Sequence, residues 1–157
     1  MFVPARTRSI SRSAAPRDGE LFKPIMRTFR PLNVLLAVLV IAHLGVAIVH
    51  GRAHDSAQVS LAPAGTIFVV VVILIAPLAG LAITLLKPRG GAALVSASMV
   101  GALIFGVVNH FLLSSPDHVS QVDPRWRALF ASTAILLALS EAAAAIVAGL
   151  VASKAHR

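Results

Sequence analysis

Four stretches of the chain are apolar at nearly every position, and most polar residues fall between them. They are 31–49 (PLNVLLAVLVIAHLGVAIV), 64–86 (AGTIFVVVVILIAPLAGLAITLL), 91–113 (GAALVSASMVGALIFGVVNHFLL) and 128–152 (ALFASTAILLALSEAAAAIVAGLVA). Each matches the roughly 20 residues that a helix needs to cross a ~30 Å hydrocarbon core. The Val-rich part of the second could read as a strand. Its length favours helix, because every backbone polar group must find a partner inside lipid. The pattern predicts an all-α integral membrane protein, a bundle of four antiparallel transmembrane helices over 31–153. The two hairpins share length but no residue pattern, so one domain is expected.

Composition narrows the class. Hydrophobic residues make up 57% of the 157 and charged residues 13%. A soluble domain runs near 45–50% apolar and about 25% charged, so that class is excluded. The chain has no cysteine. Disulfides, iron–sulfur clusters, thiolate zinc sites, covalent c-type haem and S-acylation are thereby excluded.

The net charge of +8 suggests nucleic acid until its distribution is read. Eleven of the 14 basic residues lie in 1–30, in the Lys87–Gly90 turn or after Ala152. Four spans place those segments on one side. The opposite side has Arg52, Arg125 and Arg127. The positive-inside rule makes the basic side cytoplasmic, with both termini there, and attraction to anionic headgroups is expected in addition. No nucleic-acid partner is expected. Residues 1–30 read as a disordered basic tail whose LFKPIMRTFR segment lies at the interface, and 154–157 as a second short tail. The first apolar run is too long for a signal-peptide core, so it is read as retained. A bacterial inner (plasma) membrane is the expected location, with a mitochondrial presequence the competing reading of the tail.

Small residues mark helix contacts in membranes. They recur at Ala97, Gly101, Ala102, Gly106 on the third span, at Ala134, Ala138, Ala145, Gly149 on the fourth, and at Ala76 and Gly80 on the second. Pro77 predicts a kink. His110 and Glu141 project from these small-residue faces and are expected to point inward.

Five of the six histidines fall in the outer half. His43, His50 and His54, with Ala47, follow steps of four, three and four; if the helix continues past Gly51 they form one stripe. His43 lies ~9 Å below Val49 and His110 ~5 Å below Leu113, at 1.5 Å per residue. Two cofactor readings follow. His43 and His110 could be the axial ligands of a b-type haem. Alternatively His50, His54, His110, His118, Asp55 and Asp117 could supply a transition-metal site near the water interface, since imidazole and carboxylate suit Cu(II), Zn, Fe or Mn. Interfacial histidines bonded to headgroups, water or loop carbonyls are the plain counterpart.

Glu141 is the one acidic residue inside a span, ~20 Å past Arg127. A charge at the bilayer centre costs ~2.5–3.5 kcal/mol on the insertion scale, so a neutral acid is expected, either bonding another helix or relaying protons. It is expected to lie too deep to ligate an outer-face metal. Asn109 is expected to bond a neighbour or cap its helix. Trp126 reads as an interface anchor.

Three functions compete. The first is a small inner-membrane protein with a histidine-rich outer-face site for a transition metal or haem b. The second is a non-catalytic accessory or assembly subunit of a larger membrane complex. The third is a proton-coupled carrier using Glu141, as a homo-oligomer. No nucleophile elbow or phosphate loop marks an enzyme.

Overall fold

A computed structural model describes residues 31–155; the basic tail 1–30 and the end of the second tail, His156 and Arg157, lie outside the described residues. Four helices, each long and apolar enough to cross a bilayer, make up the fold: α1 (Pro31–Ala57), α2 (Pro63–Leu86), α3 (Pro88–Leu112) and α4 (Pro124–Lys154). No strand occurs among the described residues. Helices α2, α3 and α4 each open on proline, whose missing N–H falls on the first turn, where no carbonyl would have received it. Lys87 alone joins α2 to α3, with φ −132° and ψ 78°. A residue before proline is pushed out of the α region, and this breaks the two helices apart.

The exterior is apolar. Val38, Ile41, Ile48, Ile67, Leu139 and Ile146 are all more than half exposed. In water that surface would drive aggregation; in lipid it is the solvated face. The interior uses small and medium side chains: Ala92, Val95, Met99, Ala144 and Ala148 pack against Leu36 and Val40. Ser96 on α3 donates to the Ala145 carbonyl on α4 at 3.0 Å, a bond between helices. One expected seam position is turned away instead: Ala97 is exposed, because the register turns Ser98–Met99 inward, whereas Gly149 looks onto Ser96 of α3.

Around the bundle, α1 packs on α4, α4 on α3 and α3 on α2. Helix α1 meets α2 chiefly through Ala76–Leu86. The other half of α2 therefore stands away from α1 and leaves a cleft of about 740 Å³. Residues Val69–Ile75, just before Pro77, form wide π-helical turns. Pro77 cannot donate the α-helical hydrogen bond to the Ile73 carbonyl, so the predicted irregularity is located there.

The α2–α3 hairpin closes on glycine. A Cβ on Gly91 would strike the backbone nitrogen of Thr84, while one on Gly45 would meet nothing within 4 Å. Gly91→Ala is therefore expected to destabilise the protein by about 1–3 kcal/mol, as overpacking does. Gly45→Ala is expected to be neutral or stabilising by up to ~1 kcal/mol. Thermal unfolding in detergent checks both.

Candidate metal centre

The inner stripe of α1 runs Leu36, Val40, His43, Ala47, His50, His54, the three-four spacing of a helix seam. Its first half is apolar and its second half carries imidazoles. Helix α1 continues to Ala57, past Val49, so His50 and His54 are helical. The helix stops because Gln58 adopts φ 54°, letting the Val59 N–H reach the His54 carbonyl at 3.0 Å. This is a Schellman-type end, with glutamine where glycine is usual. It also places the Val59 carbonyl 3.3 Å from His54 Nδ1.

His110 arrives from α3 through a second irregularity. Val108–Leu112 are π-helical, and the Leu113 N–H bonds the Val108 carbonyl at 2.8 Å. Wide turns of this kind shift a side chain around the helix and recur at functional sites. The following loop folds back: the Val119 N–H donates to the His110 carbonyl at 3.0 Å. Arg127 ties that loop down, with Nη2 donating to the carbonyls of Ser120 at 3.1 Å and Val122 at 3.0 Å, and Nε to Val122 at 3.2 Å. Val122 packs with Ala53 and Phe130 beneath it.

The result is three imidazoles whose ligand nitrogens converge. His50 Nε2 lies 3.2 Å from His110 Nε2 and 3.2 Å from His54 Nε2. The tautomers follow from the partners of the other nitrogens. His54 Nδ1 faces the Val59 carbonyl, and His110 Nδ1 faces the Asp117 carbonyl at 3.1 Å. A carbonyl only accepts, so both Nδ1 atoms carry the proton. His50 Nδ1 faces Thr133 Oγ1 at 2.8 Å. That hydroxyl also has carbonyl acceptors, Leu129 at 2.7 Å and Phe130 at 3.0 Å; donating to either leaves it an acceptor for the proton of His50. With all three rings protonated at Nδ1, each offers one nitrogen lone pair within 4.8 Å of the others.

Lone pairs 3.2 Å apart repel unless a positive centre lies between them. A metal bound at ~2.0–2.1 Å by tetrahedral nitrogens separates those nitrogens by about 3.3 Å, close to the spacing found. Asp117 stands beside the cluster, with Oδ1 3.3 Å from His110 Nδ1 and 3.4 Å from His54 Nε2. The His110 N–H aligns with the Asp117 main-chain carbonyl rather than with the carboxylate. Both carboxylate oxygens are buried without a hydrogen-bond donor. Burial alone would raise the pKa of Asp117, but the His110 contact and the nearby His54 and His50 hold it below the usual carboxylate value.

The remaining predicted residues fall elsewhere. His43 and His110 do not pair as axial haem ligands. Helix α1 ends at Ala57 rather than Val49, so His43 lies a further two turns in, ~10 Å below His50. Its Nε2 is 3.4 Å from the Ile73 carbonyl, and its Nδ1 is 3.5 Å from Ser140 Oγ and 3.8 Å from Glu141 Oε1. His118 turns out of the cluster and bonds Ser120 Oγ at 2.7 Å and the Phe111 carbonyl at 3.3 Å. Asp55 is exposed. Asn109 bonds the Phe105 carbonyl of its own helix at 2.8 Å, neither crossing to a neighbour nor capping. Glu141 is buried on α4 and lines the same cleft as the three histidines. Thr133, which sequence reasoning passed over, orients His50; its place two turns before Glu141 on the inner face of α4 was the available signal.

The fold and the cluster together define a multi-pass membrane protein with three buried or half-buried histidines that could hold a metal. No family model, curated protein or solved structure matches this chain.

Arg127→Met removes the three bonds that pin the loop and is expected to speed exchange of the Val119 amide about tenfold, the value of a charged hydrogen bond. Amide hydrogen exchange resolved at that residue measures it.

Proposed function

We propose that this protein is an inner-membrane metal-binding protein that takes one divalent transition-metal ion through His50, His54 and His110. The site lies at the non-cytosolic mouth of the bundle, and both termini are cytoplasmic. The convergence of three imidazole nitrogens carries the reading. Each ring is oriented from behind by a carbonyl or hydroxyl, as metal-bound histidines are. Asp117 supplies negative charge next to the ion. An all-imidazole donor set without thiolate suits Zn(II) or Cu(II). A bound zinc ion supplies Lewis acidity, and copper adds one-electron redox capacity.

The test is elemental analysis and titration of the purified full chain with Co(II), read by its visible absorbance. One equivalent is expected. His50→Ala should abolish binding. Thr133→Val, which leaves the ligands in place, should weaken it by roughly 10–100-fold. Binding should weaken as pH falls through the histidine range, because protons compete for Nε2. Retention of no metal, or unchanged binding after replacing all three histidines, overturns the reading.

One observation favours proton-coupled carriage as a second reading. Glu141 sits at the floor of the cleft whose mouth holds the histidines, against the unprotonated Nδ1 of His43. In reconstituted vesicles, Glu141→Gln is expected to abolish metal flux driven by a pH gradient while leaving the Co(II) stoichiometry at one. Undiminished flux in that variant excludes this reading and leaves metal binding standing.

A further inference from the structure

The end of the bundle opposite the metal centre holds a second cavity, of about 560 Å³. It is lined by Lys87, Arg89 and Lys154, all three exposed, and among the described residues no carboxylate lines it. The cations come from separate places: Lys87 is the joint between α2 and α3, Arg89 lies in the first turn of α3, and Lys154 ends α4. Three like charges around one hollow make its potential positive, which attracts an anion. The first turn of α3 adds hydrogen-bond donors. No side chain caps this helix, and the N–H groups of Arg89 and Gly90 fall where no intrahelical carbonyl reaches. Gly90 has open space where a Cβ would be, so an anion can approach that backbone.

We propose that this cavity binds a phosphate group, supplied by the headgroup of an anionic lipid. Phosphate is the anion that matches point-charge lysines, a forked guanidinium and helix-end N–H groups together. The lipid is favoured as its source by what surrounds the hollow. Leu85 and Leu86 of α2 are 61% and 86% exposed directly before Lys87, and Val34, Leu35 and Leu150 are exposed at the same end of the bundle. Acyl chains can lie on these side chains while the phosphate sits among the cations. Basic pockets between helix ends hold anionic headgroups in this manner. The site shares no residue with the metal centre and does not depend on it.

The experiment uses the full chain in nanodiscs of phosphatidylcholine, alone or with phosphatidylglycerol. Hydrogen exchange is read at the Arg89 and Gly90 amides, and retained lipid by native mass spectrometry. The basic residues of 1–30 also attract anionic lipid, so the local amides decide. Phosphatidylglycerol is expected to slow exchange at both amides. The combined Lys87→Gln, Arg89→Gln, Lys154→Gln variant should lose this protection and hold the lipid roughly 100-fold less tightly. Lys87→Arg with Lys154→Arg keeps the charge and should retain both effects, which separates lost binding from lost folding. Inorganic phosphate in pure phosphatidylcholine discs tests the source. Protection by phosphate equal to that by the lipid supports the phosphate site and assigns it a soluble ligand. Absence of protection by either, or a triple variant that binds like the parent, overturns the proposal.

Discussion

A neutral imidazole has one proton and one lone pair, and the partners behind the rings set which nitrogen carries the proton. The Val59 and Asp117 carbonyls take the Nδ1 protons of His54 and His110, so the Nε2 atoms of those two rings only accept, while His50 Nδ1 faces the Thr133 hydroxyl. Much of the outer half of the fold serves that constraint. The non-glycine αL residue at Gln58 puts the Val59 carbonyl behind His54. The π turns at Val108–Leu112 bring His110 level with His50. The Arg127 clamp ties down the Ser120 and Val122 carbonyls of the loop that carries Asp117. Left-handed backbone at a side-chain-bearing residue costs roughly 1–2 kcal/mol. Strain of that kind is informative when it sits at a site, as here.

The bilayer explains why such a cluster lies inside the bundle. Lipid offers no hydrogen bonds, so polar side chains in the spans must find partners within the protein. Helix α1 divides its inner stripe accordingly. Leu36 and Val40 join the tight half, where alanines and the Gly80–Gly91 contact let the helices close. His43, His50 and His54 occupy the half where α2 stands off.

The four spans were legible because length and hydropathy alone determine them. The stripe of His50 and His54 was legible too, since helical spacing puts them on one face whenever the helix runs past Gly51. What spacing could not supply was depth and rotation. Taking Val49 as the end of α1 set His43 too near the surface and paired it with His110. The true partners of His43 are Ser140 and Glu141 on α4. In the loop, Asp117 and His118 are adjacent and equally plausible as ligands. A single turn, with the His118 N–H on the Ser115 carbonyl at 2.9 Å, buries the first and leaves the second bonded to Ser120. The π turns have no local signature in VNHFL, because they are settled by tertiary contacts.

Charge completes the account of the metal centre. Three neutral imidazoles and a dication would leave two positive charges at the edge of a low-dielectric bundle, an arrangement that desolvation opposes. Asp117 removes one of them. Its two carboxylate oxygens have no hydrogen-bond donor, an omission that would be costly beside neutral rings alone. A proton on His54 would satisfy Oδ1 at 3.4 Å but leave His50 and His110 still opposed across 3.2 Å. On the proposed reading a metal ion would engage all three nitrogens at once and place its charge beside the carboxylate. The same nitrogens thus serve proton or metal.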